Sequence, residues 1–170
     1  MPPEREVRLA GSSSSREAGA GAASRRTSAR RRYRPVVPTW DDVRRIALSL
    51  PETSEKLMWG TPSWRVRTKL FVWERPLRKG DLEALRDDAP QGEILGARVE
   101  DLLAKEALIA DDPAIFTTPH FDGYPAVLVE LDKVDAEVLE EIIVEAWLSR
   151  APKRLARQYM ADHGLSEAGG

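Results

Sequence analysis

The chain has 170 residues, enough for one domain of ordinary size, and it contains no cysteine, which excludes disulfide bonds, thiolate catalysis and zinc–thiolate sites. It has no apolar run of the ~18 residues that a bilayer-spanning helix needs and no apolar signal-peptide core at its N-terminus, so we expect a cytoplasmic protein without a membrane partner. The net charge of −2 is unevenly distributed: residues 1–38 carry nine Arg and three Glu, whereas residues 39–170 carry 17 Lys and Arg against 25 Asp and Glu.

Residues 1–38 are low in complexity, with serine, glycine, alanine and arginine and almost nothing to bury, which predicts a disordered basic tail. We interpret the Arg-rich stretch 30–34 as a solvated segment. The alternative is that it contacts nucleic acid or an acidic surface. Two further interpretations of residues 1–38 are a transit peptide and a translation start that is assigned upstream of the true one. We therefore expect a tail over 1–38, a domain over 39–164 and a flexible C-terminus over 165–170.

The first half of the domain is predicted to be a helix followed by a β-hairpin. Thr39 and Asp42 have the spacing of a capping box, and apolar residues at helical spacing follow as far as Pro51. Residues 57–62 contain glycine and proline and are predicted to be a bent connection. Alternating side chains then predict a hairpin over 63–74.

The second half alternates short predicted strands with helices. Asp81 is expected to cap a short helix, and the remaining elements are a strand over 94–99, a helix over 101–110, short strands over 115–117 and 126–131, and helices over 135–150 and 152–164. The helix over 135–150 has the strongest apolar face, which includes Trp147. Together these patterns predict an α+β fold in which helices pack on an antiparallel sheet built around the hairpin.

Three sequence blocks occur in a distinctive order. They are Leu48-Ser49-Leu50-Pro51-Glu52, then Trp59-Gly60-Thr61-Pro62-Ser63-Trp64-Arg65-Val66, then Thr118-Pro119-His120-Phe121 followed by Tyr124 and a valine-rich strand. In this order the chain resembles the MmcQ/YjbR family over about residues 40–160. The resemblance implies an α+β fold with a "double wing" likeness to DNA-binding modules, and therefore DNA as a partner. The stretch 75–92 departs from the family pattern.

Two cationic surfaces are candidates for DNA contact, because nucleic-acid affinity comes largely from neutralising phosphates. Alternation puts the hairpin cations on the face away from the apolar side chains, and the helix cations are spaced to share a face. A solvated surface is the competing interpretation of both sets. The candidates are Arg65, Arg67 and Lys69 on the hairpin and Lys153, Arg154 and Arg157 on the last helix.

The alternative function is a domain that binds a small molecule or a protein in an aromatic pocket, without DNA. Aromatic side chains stack on planar groups, although core packing is the competing interpretation of these residues. The pocket candidates are Trp59, Trp64, His120, Phe121 and Tyr124. A continuous basic face on the folded domain would favour DNA, whereas an acidic surface around an aromatic cleft would favour the pocket.

The sequence carries no signature of catalysis or of a cofactor. His120 and Asp122 have the spacing of a metal pair or an acid–base pair, but no third ligand is suitably placed, so we predict no metal site. The phosphate-binding, dinucleotide-binding, zinc-protease and nucleophile-elbow motifs are all absent. We therefore expect a non-enzymatic module without a cofactor, and the sequence leaves its oligomeric state open.

Overall fold

Residues 36–166 are those that the computed structural model describes, and within them helices pack on a single six-stranded sheet. The predicted disordered tail lies outside the described residues except for 36–38, and so does the predicted flexible C-terminus beyond residue 166. Within the described range, no helix is long and apolar enough to cross a membrane.

Helix α1, Trp40–Ser49, begins at the predicted capping box. The Asp42 carboxylate accepts the Thr39 backbone N–H at 2.8 Å, and the Thr39 hydroxyl accepts the Asp42 N–H at 3.4 Å. Two backbone donors that the first turn of a helix leaves unpaired are thereby satisfied. The apolar face of α1 then buries Val43 and Ile46.

The sheet contains β1 Thr53–Met58, β2 Thr61–Val66, β3 Lys69–Glu74, β4 Ile94–Arg98, β5 Ile115–Phe116 and β6 Ala126–Glu130. Its strand order is β1-β2-β3-β4-β6-β5, and every neighbouring pair is antiparallel. The predicted α+β class and the predicted hairpin are confirmed.

Strand β1 is an element that the sequence analysis missed. The predicted bent connection over 57–62 is wrong in extent, because the chain reverses within Trp59 and Gly60 alone and Met58 pairs with Thr61. The strand lies at the edge of the sheet, and all of its residues are half-buried or exposed. An edge strand of this kind lacks the apolar alternation on which strand prediction depends.

Strand β3 contains a β-bulge. The pairing between β2 and β3 moves from Trp64 opposite Val72 to Arg65 opposite Leu70, which leaves Phe71 as the extra residue. Phe71 and Val72 consequently both enter the main core, and Leu70 lies on the other face.

One face of the sheet is covered by α1 and by α4, Ala136–Arg150. Trp147 on α4 is fully buried there, as predicted, and its indole N–H donates to the Pro51 carbonyl at 3.1 Å. The last helix, α5 Lys153–Asp162, packs Tyr159 against the Trp147 ring with 5.0 Å between centroids. This side holds the larger core of the domain.

The other face carries a smaller core made by Trp73, Ile94, Phe121, Ala126 and Leu128. Short elements flank it: α2 Lys79–Leu85, a 3-10 turn at Arg86–Asp88 and a 3-10 turn at Pro119–Phe121. Helix α3, Leu102–Asp111, packs its apolar residues against the main core instead. On the opposite side, α4 packs against β3 and β4, and α1 packs against β1 and α4. The surface near the end of β3 is therefore left as a cleft.

Candidate functional site

The cleft has a volume of about 650 Å³. The turn between β1 and β2, the end of β3, residues 75–78 and the 3-10 turn before β6 form its walls. Its aromatic lining consists of Trp59, Trp73, His120, Phe121 and Tyr124. Clefts of this size, mostly apolar with a few polar groups, are typical of small-molecule sites.

Trp59 stands at the rim of the cleft in a conformation that bulky residues rarely adopt. Its side chain is 91% exposed, and its φ of 54° is followed by a φ of 82° at Gly60. Two successive positive φ values are typical of a type I′ hairpin turn, in which Asn-Gly is the preferred pair. A left-handed non-glycine residue costs on the order of 1–3 kcal/mol, and such outliers cluster at functional sites. Neither core packing nor turn preference explains a tryptophan here.

Lys105 on α3 fixes the loop that forms the opposite wall. Its side chain is buried, and the ammonium group donates to the Phe121 carbonyl at 2.6 Å and to the Tyr124 carbonyl at 3.0 Å. Burial lowers the pKa of Lys105, and the negative charge of Asp122 opposes that shift. The sequence analysis did not select Lys105, although a lysine within the apolar stretch 102–109 is a detectable signal.

A buried ion pair supports the floor of the cleft. The guanidinium of Arg75 lies 3.0 Å from the Asp81 carboxylate and 5.3 Å from the centre of the Phe121 ring. Burial raises the pKa of Asp81, but the hydrogen bond from the Arg78 N–H and the charge of Arg75 help to outweigh it and hold the pKa below its ordinary value. Residues 75–78, between β3 and α2, thus supply a wall of the cleft.

Tyr124 and His120 are held by neighbouring side chains. The Arg98 guanidinium lies over the Tyr124 ring, 4.5 Å from its centre, and donates to its hydroxyl group. The His120 ring meets the Phe121 ring edge to face at 4.9 Å. Of the rings that line the cleft, Trp59 is therefore the one whose faces are most open to a ligand.

Glu74 ends β3 at the cleft and is half-buried, and its pairing with Leu95 of the main core puts its side chain on the helix-covered face of the sheet. Burial raises the pKa of Glu74, and the negative charge of Glu93 raises it further. Within residues 36–166, no cation lies within 4.0 Å of its carboxylate.

Four of the five predicted pocket residues line this one cleft: Trp59, His120, Phe121 and Tyr124. The placement of Trp64 was wrong. Trp64 is fully buried on the helix-covered face, where it stacks on Trp40 with 6.4 Å between centroids and donates to the Glu55 carboxylate at 3.1 Å. The pleat of β2 puts Trp64 on the same side as Val66, in the main core.

The hairpin cations are not arranged as one free basic face. Arg67 lies in the turn with a φ of 53° and pairs with Glu52 at 2.8 Å. Arg65 is half-buried, donates to the Thr68 carbonyl at 3.2 Å and contacts the Met58 sulfur at 3.7 Å. The remaining candidates are exposed: Lys69 on the hairpin and Lys153, Arg154 and Arg157 on α5.

His120 and Asp122 both line the cleft. In the part of the chain that the structure describes, no group of three or more His, Asp or Glu side chains is arranged to hold a metal ion. The site therefore offers aromatic surface and isolated charges to a ligand.

Comparisons with known proteins agree with the fold. A model of the YjbR family matches residues 48–149. Two proteins, from Mycobacterium tuberculosis and Mycobacterium bovis, both described as uncharacterized, are 54% identical over 130 residues, which is 74% of this chain and 98% of theirs. The crystal structure of a Deinococcus radiodurans protein with a DUF419 domain aligns with a TM-score of 0.52 at 22% identity, covering 79% of this chain and 95% of that one.

Proposed function

The chain belongs to the YjbR family, and from that premise we propose that its domain is a binding module whose aromatic cleft takes a small ligand with an apolar, planar part. One observation carries this proposal: Trp59 is 91% exposed and held with a φ of 54° at the rim of the cleft. A partner that covers Trp59 would explain why an exposed tryptophan is kept in a backbone conformation that costs free energy.

The cleft is also preorganised, which reduces the entropy that binding must overcome. Lys105 anchors one wall through two carbonyl groups, and the ion pair between Arg75 and Asp81 stands behind Phe121. A planar group stacked on one aromatic side chain gains roughly 1–3 kcal/mol. Stacking on Trp59 is the main contact that we expect.

The test is a titration of the full chain with 2-phenylethanol, followed by NMR, in the wild type and in Trp59→Asn. Asparagine suits the first position of a type I′ turn before glycine, so the variant should keep or slightly increase its stability. We expect its affinity for 2-phenylethanol to fall about tenfold, in line with the loss of one stacking contact. Unchanged affinity in Trp59→Asn would contradict the proposal.

A matched control removes an exposed apolar side chain away from the cleft. Leu103 on α3 is 75% exposed and does not line the cleft. Leu103→Asn should bind 2-phenylethanol as the wild type does. A parallel loss in both variants would show that general surface hydrophobicity, not the cleft, carries the binding.

DNA binding is a second candidate, favoured by the cations of α5. Lys153, Arg154 and Arg157 are exposed, and none of them forms an ion pair with another described residue. The charge of residues 39–170, with 17 Lys and Arg against 25 Asp and Glu, opposes it. Binding would therefore depend on this local set and on Lys69.

A salt titration of duplex DNA binding tests this candidate. The full chain is compared with a chain that begins at residue 39, because the nine Arg of residues 1–38 can bind DNA without the fold. If α5 contacts phosphates, reversing its three charges lowers the log–log salt slope by roughly 1 per contact in the shorter chain. If the shorter chain shows no salt-sensitive binding, the fold does not recognise DNA.

A further inference from the structure

We propose that the cleft selects an organic anion, whose carboxylate lies against Arg75 and whose apolar body lies on Trp59. This inference rests on the proposed function and specifies the chemical class of the ligand. Three features support it: the face of the sheet on which Arg75 lies, an unused donor on its guanidinium group, and the excess of cations around the cleft.

The register of the sheet places Arg75 on the cleft face. The Arg75 N–H donates to the Ile94 carbonyl at 2.9 Å, which continues the pairing of Trp73 with Gly96. Because successive side chains of a strand point to opposite faces, Arg75 lies on the same face as Trp73 and Ile94, which belong to the smaller core. Its guanidinium group lies 5.3 Å from the centre of the Phe121 ring. Arg75 therefore brings a positive charge to the lining of the cleft.

Arg75 is buried and has a donor that the surrounding protein groups leave unused. Its side chain is only 7% exposed, and its Nη1 group donates to the Pro76 carbonyl. Within residues 36–166, its Nη2 group is buried and has no acceptor in hydrogen-bond alignment, although the Asp81 carboxylate lies 3.0 Å away. A buried donor without an aligned acceptor costs free energy. A carboxylate oxygen of a ligand would recover this cost, and the planar donor set of arginine suits carboxylates.

Cations exceed carboxylates around the cleft, although residues 39–170 as a whole are acidic. The charged side chains that line or support the cleft on its own face of the sheet are Arg75, Arg78, Lys105, Asp81 and Asp122. Lys105 is buried and, among the described residues, has no carboxylate within 4.0 Å. Glu130, which is also buried, is paired with Lys133 at 3.0 Å. Because water screens the exposed Asp122 more than the buried Lys105, the local field favours an anion.

The turn that carries Trp59 is fixed beside the end of β3. The Thr61 hydroxyl donates to the Met58 carbonyl at 2.9 Å and lies 3.4 Å from the Glu74 carbonyl oxygen. Arg75 is the next residue of the chain, and Trp59 and Arg75 both line the cleft. One ligand can therefore stack its ring on Trp59 and place its carboxylate against Arg75.

The experiment compares three probes of matched size on the full chain at neutral pH: phenylacetate, 2-phenylethanol and phenethylammonium. Affinities are read from the NMR shifts of Trp59 and of residues 120–124, so that binding to the nine Arg of residues 1–38 is not counted. We expect phenylacetate to bind about tenfold more tightly than 2-phenylethanol, a difference of about 1.4 kcal/mol. This lies near the lower end of what a hydrogen bond between charged groups contributes, because the carboxylate must also lose water. Phenethylammonium should bind most weakly.

The variant Asp81→Asn removes the carboxylate that competes with the ligand for Arg75. The ratio of phenylacetate affinity to 2-phenylethanol affinity should rise roughly tenfold above that of the wild type, because a like charge no longer opposes the ligand. Its control is Asp88→Asn, which removes the same charge from an exposed position that does not line the cleft. Asp88→Asn should keep the wild-type ratio.

The variant Arg78→Gln separates Arg75 from the other arginine of the cleft. Arg78 is exposed at the rim, where water screens its charge. Arg78→Gln should therefore keep most of the preference for phenylacetate. Complete loss of the preference in Arg78→Gln would overturn the assignment of the carboxylate to Arg75.

The outcomes separate this inference from the proposed function. Equal binding of all three probes to the wild type would overturn the anion preference while the cleft remained a ligand site. Tightest binding of phenethylammonium would overturn it as well. Binding of no probe would remove both proposals. Since the wild-type comparison alone decides among these results, the inference is testable even if Asp81→Asn does not fold.

Discussion

Replacing Lys105 with methionine tests whether a buried ammonium group holds the wall of the cleft. Methionine keeps the apolar stem of the side chain and removes its charge. The variant loses two hydrogen bonds from a charged donor, to the carbonyls of Phe121 and Tyr124, each worth roughly 1.5–3 kcal/mol. Two effects offset this loss.

The first offset is that both carbonyls keep another donor, since the Tyr124 N–H reaches the Phe121 carbonyl at 3.0 Å and the Ala126 N–H reaches the Tyr124 carbonyl at 2.8 Å. The second is that the ammonium no longer has to be desolvated, the same effect that lowers the pKa of Lys105. We therefore expect a net loss of about 2 kcal/mol in the free energy of unfolding, less than the roughly 3–6 kcal/mol that two such bonds would cost without these offsets.

Urea denaturation measures this loss as a shift in midpoint at constant m value. Lys79→Met is the control, because Lys79 is exposed, and its stability should change by less than about 0.5 kcal/mol. Lys105→Met should also bind 2-phenylethanol more weakly, since the wall would lose its anchor. A Lys105→Met protein as stable as the Lys79→Met control would refute the anchoring role.

Two further predictions concern the fold. Trp147→Ala should lower the free energy of unfolding by about 3–5 kcal/mol, because it empties a fully buried site and breaks the hydrogen bond to Pro51. A denaturation midpoint equal to that of the wild type would show that the buried face of α4 is assigned wrongly. The pKa of Asp81 is held below its ordinary value of 3.8, so the stabilisation that Asp81 contributes is complete above pH 3.8 and is lost as the pH falls through the lower pKa of the folded state. The free energy of unfolding should therefore fall less steeply with decreasing pH in Asp81→Asn than in the wild type. Identical slopes in the two proteins would contradict this prediction.

The elements with strong periodicity were predictable from the sequence. The capping box of α1, the hairpin, β6 and the apolar face of α4 each follow from local spacing, and the structure confirms them. Strand β1 could not be predicted in this way, because its pairing with β2 is set by the turn at Trp59 and Gly60 and not by a buried face. A type I′ turn with tryptophan in place of asparagine gives no recognisable local signal.

The candidate site was predictable only in part. The aromatic residues of the second and third sequence blocks meet in one cleft, except Trp64, whose alternation with Val66 already indicated a core position. Lys105 matters through the two carbonyl groups to which its ammonium group donates. Such surroundings depend on tertiary contacts that no local pattern specifies.

The most direct test of the binding cleft is a map of backbone and indole chemical shifts in the ¹⁵N-labelled full chain as 2-phenylethanol is added. If the cleft is the site, the shifts will concentrate at Trp59, Thr61 and Glu74 and at residues 120–124, and they will saturate with a single dissociation constant. Shifts that concentrate on α5, or that spread over the whole surface without saturating, would contradict a ligand site in the cleft.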